Sequence, residues 1–390
     1  MNCQLRSGPA VAERHLPFER VALVLQGGGA LGAYQAGVYE ALAEAGIHPD
    51  WVAGISIGAI NAAIIAGNPP NCRVDRLREF WTLVTAGGSW PWPGVSGKGV
   101  ARNEALRNFV NRLNAGMALA LGANGFFAAR PVTPWLQTTG TAEATSFYDT
   151  SGLRQTLERL VDFDRLNAGH TRFSAGAVNV RRGELIYFDT DNHTIGPEHV
   201  LASGALPPGF PAIEIEGEHY WDGGLVSNTP LQWIVEASPR QDTLVFQVDL
   251  WSARGELPQD LLQVVAREKE VRFSSRTGAG SERFGQIQKL RNAIAGLLEK
   301  LPAKLKESEE ARLLGSVADR KVCNIVQLIY RAENFEGHSK DYEFSRLSME
   351  EHWRAGYLDA RRTLRHPEVL QRPANADGIF TFDLAVDGRE

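Results

Sequence analysis

Within its first 70 residues the chain twice runs from a short apolar stretch into a glycine-bearing loop and on into a helical pattern, and this repetition limits the fold more than any other feature. Val21 to Leu25 (VALVL) is a continuous apolar run ending at Gly27-Gly28-Gly29, which predicts a buried parallel strand entering a tight loop. From Ala30 to Ala45 the residues Leu31, Tyr34, Val38, Leu42 and Ala45 recur at helical spacing, and Gly46 stands where a left-handed cap belongs. Trp51-Val52-Ala53 predicts a second short strand, broken by Gly54-Ile55-Ser56-Ile57-Gly58; AINAAIIA then predicts a small-residue helix ended by Gly67. A right-handed crossover makes the two strands parallel neighbours, so both loops leave the sheet at its C-terminal edge.

Further along, the pattern loosens between Phe80 and Gln137, where Gly and Pro cluster with Trp81, Trp90, Trp92 and Trp135 and a helix is predicted from Asn103 to about Leu121. This stretch reads as an irregular insertion or lid over residues 80–140. The tryptophans are expected to pack it, with a lipid-facing surface as the alternative. Asp149-Thr150-Ser151 caps a helix over LRQTLERLV, Arg172 to Phe188 is strand-rich, and a short helix ends near Leu206. AIEIEGEHYW predicts a hairpin leading into Asp222-Gly223-Gly224, Asn228 and Thr229 before Pro230 predict a helix start, and Thr243 to Leu250 is a further buried strand. Beyond Trp251 come charge-rich helices (Gln259 to Phe273, Glu282 to Leu301), a strand (Val322 to Arg331) and a helix (Glu350 to Arg365). The expected organisation is an N-terminal tail (1–18), a catalytic domain (19–236) and an extension (237–390) that packs on it.

Composition narrows the class. With 390 residues, 43% of them hydrophobic and 22% charged, the chain is globular and large enough for two or three domains. A net charge of -5 argues against nucleic acid as a partner. The cysteines Cys3, Cys72 and Cys323 are odd in number and scattered, which suits a reducing compartment, and residues 1–20 lack a signal-peptide core. A cytoplasmic location, with peripheral contact to the inner membrane as an option, is therefore expected. No run approaches the roughly 20 apolar residues that span a bilayer. Neither partner subunits nor an oligomeric state is assigned by the sequence.

Gly54-Ile55-Ser56-Ile57-Gly58 fits G-x-S-x-G, in which a serine sits on a strained strand-to-helix turn and glycine removes the collision with neighbouring backbone. The plainer alternative is a glycine-rich turn whose serine caps a helix. Gly27-Gly28-Gly29 can aim backbone N–H groups outward at a helix start, where an oxyanion would be held. The same loop also fits G-x-G-x-x-G through Gly27, Gly29 and Gly32, with Asp50 about 20 residues on, a dinucleotide fingerprint. Asp50, however, precedes the second strand instead of ending it. A serine needs a base. His338, His352 and His366 lie downstream for a triad, but Asp222, at a strand end before two glycines, is the better candidate.

Gly27-Gly28-Gly29-Ala30-Leu31-Gly32, Gly54-Ile55-Ser56-Ile57-Gly58 and Asp222-Gly223-Gly224, in that order, resemble the three motifs of patatin-like phospholipases. Ala202 to Pro211 (ASGALPPGFP) is similar to the A-S-x-A-x-P…F-P segment of the same family. The resemblance covers about residues 19 to 236. It implies a three-layer α/β/α fold with a mainly parallel central sheet, here with a helix-rich C-terminal extension similar to one in a bacterial subset of the family. It also implies hydrolysis of lipid acyl esters by a Ser-Asp dyad without metal or other cofactor, phospholipid being the default and lysophospholipid, glyceride or a short hydroxyacyl ester compatible. Carried over by position, Ser56 is the nucleophile, Asp222 the base and the Gly28 and Gly29 amides the oxyanion hole. Many members have Arg or Lys where Leu31 stands and Asp or Ser where Gln26 stands, so side-chain roles there do not transfer. A dinucleotide-dependent oxidoreductase and a non-catalytic lipid-binding protein are the readings from other classes.

Overall fold

The computed structural model describes residues 14–88, 104–275, 277–331, 339–373 and 378–383. Strands are β1 (Arg20–Leu25), β2 (Trp51–Ile55), β3 (Gly122–Ala123), β4 (Phe127–Ala129), β5 (Tyr148–Asp149), β6 (Arg172–Asn179), β7 (Leu185–Asp189), β8 (Ile213–Ile215), β9 (Glu218–Asp222), β10 (Thr243–Asp249), β11 (Cys323–Ile329) and β12 (Ile379–Phe382). Among the described residues nine of them form one sheet in the order β12-β11-β10-β1-β2-β6-β9-β8, with β7 also on β6. The six from β12 to β6 are parallel; β7 and β9 run antiparallel to β6, and β8 antiparallel to β9. This is the expected mainly parallel α/β sheet. Residues after 236 supply three of its strands, and β10 pairs directly with β1, so the sheet runs on into the C-terminal segment.

Strand alternation sorts the core into two faces. Leu23, Leu25 and Val52 pack into the larger cluster with the helices α1 (Ala33–Glu44) and α2 (Ile57–Ala66). Ala22, Val24, Trp51 and Ala53 point the other way, onto Ile234 and Phe284. Helices thus cover both faces, as a parallel sheet requires. All ten residues of α2 are buried, which explains its composition: Ala, Gly and Ile fit where longer polar side chains would be stranded.

Several expectations shift in detail. The helix begins at Ala33 after a 3-10 turn over Gly29–Gly32, and Gly46 does take the left-handed conformation, at φ 69°. Pro70–Val84 is a helix that the two prolines conceal, Pro70 occupying its first turn, and it buries Phe80 and Trp81 in the core. Trp81 is therefore core packing, whereas Trp135 is exposed and Trp90 and Trp92 lie outside the described residues. Residues 80–140 include the helix Glu104–Leu121 and the strands β3 and β4, which form a small sheet with β5. The hairpin β8-β9 turns on Glu216 and Gly217, both at positive φ. Cys72 is disulfide-bonded, and Cys323 is free and buried. Sequence scatter did not reveal that bond. Among the described residues no helix is long and apolar enough to cross a membrane.

The helix Arg346–Thr363 lies against α1 so closely that a Cβ on Gly37 would stand 1.9 Å from the Trp353 carbonyl oxygen, and one on Gly356 2.0 Å from that of Tyr34. Gly356→Val should force the helices apart and lower stability by about 1–3 kcal/mol. In urea the midpoint should fall without a change in slope. Gly296→Ala, where an added Cβ meets nothing within 4 Å in the helix Thr277–Lys300, should raise stability by up to ~1 kcal/mol. Equal midpoints for Gly356→Val and the parent protein would contradict this packing.

Candidate active site

Parallel pairing sets Leu25 opposite Gly54, so the glycine loop after β1 and the Ser56 turn after β2 emerge side by side. Ser56 has φ 56° and ψ -123°, a conformation that L residues rarely adopt. Two glycines leave room for the turn: a Cβ on Gly54 would stand 2.3 Å from the Gly58 carbonyl, and one on Gly58 2.2 Å from the Leu25 oxygen. Strain of this kind costs on the order of 1–3 kcal/mol and persists only where surroundings impose it. Here they do. The Ser56 N–H donates to the Ser203 carbonyl at 3.1 Å and to Ser203 Oγ at 3.0 Å, while Ser203 Oγ donates to the Gly176 carbonyl at 2.7 Å.

Asp222 reaches the same place by register. Strand β6 pairs Gly176 with Ile55 of β2 and, one residue on, Ala177 with Asp222 of β9. The Asp222 side chain is 3% exposed, accepts the Gly224 N–H at 2.7 Å and lines the same cleft as Ser56, whose hydroxyl favours its charged form. Burial raises its pKa to about 6, against the pull of the Ser56 hydroxyl and the Gly224 N–H, which favour the charged form. Gly223 and Gly224 form the turn that follows. A hydroxyl beside a carboxylate of raised pKa can pass its proton to it as the oxygen attacks an electrophile.

The loop from Gln26 to Gly29 closes the site. Gly29 has φ 56°, and a Cβ there would stand 2.0 Å from the Asp341 carbonyl oxygen, which also accepts the Ala30 N–H at 2.8 Å. Gly32 ends the 3-10 turn and packs against Ile57 and Trp81. No acceptor among the described residues takes the Gly28 or Gly29 amide. Gly27, Gly28, Gly29, Ser56 and Asp222 line one cleft of about 310 Å³, walled by Leu119, Phe126, Phe127, Tyr148, Phe210 and Phe344.

The other candidates separate from this cluster. Asp50 accepts the Val21 N–H at 2.7 Å, at the start of β1 and so at the opposite end of the strand from Gly27. That removes the acid on which the dinucleotide reading depended. His352 packs on the Tyr330 ring at 5.1 Å and His366 faces Glu368; His338 lies outside the described residues. Asn228 and Thr229 do not cap a helix, which starts at Leu231 behind Pro230. Their side chains instead reach inward, Asn228 to the Gly27 carbonyl and Thr229 toward Gln26. Also unforeseen are Trp251, Phe273, Asp341 and Phe344, which line the cleft from distant parts of the chain. Only the placement of Asn228 six residues after Asp222, two residues before Pro230, offered a local sign.

A parallel α/β sheet with a serine turn, a buried carboxylate and a glycine loop at its C-terminal edge defines the class. The family model for patatin-like phospholipase matches residues 23–232, and the chain belongs to that family. A second model, described as patatin phospholipase, matches residues 271–376. Patatin-like phospholipase domain-containing protein 6 of Homo sapiens is 40% identical over 85 residues, covering 19% of this chain and 6% of that protein. Lysophospholipase nte1 of Aspergillus terreus is 55% identical over 53 residues, covering 14% of this chain and 4% of that one. The chain thus spans a small part of the length of the curated relatives it matches. The crystal structure of VipD from Legionella pneumophila aligns over 98% of this chain and 77% of that one, at 16% identity and a TM-score of 0.41.

A carboxyl-carbon titration of Asp222 should give a midpoint near pH 6. Ser56→Ala should move it higher, because the Ser56 hydroxyl favours the charged form. A midpoint close to the ordinary 3.8 would contradict the burial described for this side chain.

Proposed function

We propose that the protein hydrolyses lipid acyl esters, as a phospholipase A or lysophospholipase, by two-step acyl transfer. The observation that carries the reading is that Ser56, on its strained turn, and the buried Asp222 line one apolar, aromatic cleft. In the first step Ser56 Oγ bonds to the ester carbonyl carbon as its proton passes to Asp222; the intermediate collapses, and the leaving alkoxide takes that proton. Water then attacks the acyl-serine, again giving its proton to Asp222, which returns it to Ser56 Oγ as the fatty acid departs. The Gly28 and Gly29 amides hold the developing oxyanion, and removing one such donor commonly costs about 2.7–4 kcal/mol of transition-state stabilisation. The aromatic walls suit an acyl chain.

Contact with a lipid surface fits the same reading. Trp135 and Leu136 are each 79% exposed, and the Trp135 ring packs on Phe147 at 5.4 Å, beside the cleft residue Tyr148. Aromatic rings favour the membrane interface. Trp135→Ser with Leu136→Ser should reduce co-sedimentation with phospholipid vesicles several-fold while hydrolysis of a soluble ester is unchanged; undiminished co-sedimentation would remove this patch from the account.

Turnover of a p-nitrophenyl ester tests the reaction itself. Ser56→Ala and Asp222→Asn should each lower kcat by about 10³-fold or more. Because the base must be ionised, kcat/KM should rise with pH through about 6 and level off above it. Parent-like rates in both variants would refute the dyad.

A further inference from the structure

We infer that Asn228 and Trp251 are positioning residues that hold the Gly27–Gly28 peptide with its N–H toward the cleft, an inference that rests on the acyl-transfer reading above. Three successive glycines leave the loop free to adopt many backbone conformations. A flip of the Gly27–Gly28 peptide would point a carbonyl oxygen where an oxyanion must sit, replacing a donor with a repelling acceptor. Something outside the loop has to prevent it.

The Gly27 carbonyl accepts Asn228 Nδ2 at 3.0 Å and Trp251 Nε1 at 2.9 Å, so both of its lone-pair directions are engaged. The Gly27 N–H donates to the Asn228 carbonyl at 3.2 Å. In a planar trans peptide the C=O and the following N–H point in opposite directions. Fixing the Gly27 oxygen toward Asn228 and Trp251 therefore fixes the Gly28 N–H away from them, where no described group accepts it.

The clamp is itself held. Asn228 Nδ2 also donates to the Phe273 carbonyl at 2.9 Å, which accepts Gln26 Nε2 at 3.1 Å as well. Gln26 Oε1 in turn accepts the Leu250 and Trp251 amides at 2.6 and 2.9 Å. A Cβ on Gly27 would stand 2.4 Å from Asn228 Oδ1, and one on Gly224 2.8 Å from it. Two of the motif glycines thus make room for the same carboxamide. This gives Gln26 a part as the residue that ties the ends of the circuit together.

Trp251→Phe removes the Nε1 donor and keeps a ring; Asn228→Leu removes the amide at similar size. For a p-nitrophenyl ester each should lower kcat roughly 10-fold with KM within about twofold. The inhibition constant of an alkyl trifluoromethyl ketone, which forms a tetrahedral oxyanion on serine, should rise by the same factor as kcat/KM falls. That of the non-reacting ether analogue should stay within about twofold. The double variant should lose less than the product of the two, since both donors serve one oxygen. Unchanged kcat in folded Trp251→Phe, or a loss of rate that the ketone constant does not follow, would overturn the inference while leaving the dyad standing if Ser56→Ala is inactive. Parent-like turnover by Ser56→Ala would overturn the underlying reading and the inference with it.

Discussion

Two parallel strands can expose the loops that follow them on one edge only if their register brings both ends level. The pairing of Leu25 with Gly54 does this for β1 and β2, and everything at the site is built outward from it. The glycine loop and the Ser56 turn lie together because of it, and Gly58 is then pressed to within 2.2 Å, by any added Cβ, of the Leu25 carbonyl. Strand β6 extends the same edge, pairing β2 through Gly176 and then β9 through Ala177. That register brings Asp222 to the cleft that Ser56 also lines.

That edge is local in space and remote in sequence, and this decides what could be read in advance. Apolar runs, glycine loops and helical spacing are local signals, and they located β1, β2, α1, α2, the hairpin and the parallel sheet. They also singled out Ser56 and Asp222, since motif spacing reflects backbone geometry within a few residues. The helix Pro70–Val84 escaped because a pair of prolines resembles a break when one of them is in fact its first turn. Asn228 was read as a helix start for the same reason: Asn-Thr before Pro has that local meaning, while its contact with Gly27 spans 201 residues. Trp251, Phe273, Asp341 and Phe344 carry no periodicity or motif that points toward residues 27–29.

The C-terminal segment is accordingly part of the site. Its strands β10, β11 and β12 continue the sheet, Phe273 ends a helix against Asn228 and Gln26, and the Asp341 carbonyl seats the glycine loop. Lys269 pairs with the Asp341 carboxylate at 2.9 Å, and Lys340 with Glu270 at 2.7 Å, so the helix Leu261–Phe273 and the strand-to-helix segment at 339–345 brace one another over the loop. A sheet edge that presents backbone amides to a ligand is soft when made of glycine, and its stiffness here comes from chain more than 200 residues away.

The central claim is that Ser56 is the nucleophile of this edge. Incubation with an alkyl fluorophosphonate followed by intact-mass measurement and peptide mapping tests it most directly. A single adduct on the peptide containing Ser56, absent in Ser56→Ala and formed far more slowly in Asp222→Asn, is the predicted result. Equal labelling of Ser56→Ala, or an adduct mapped to a different serine, would contradict it.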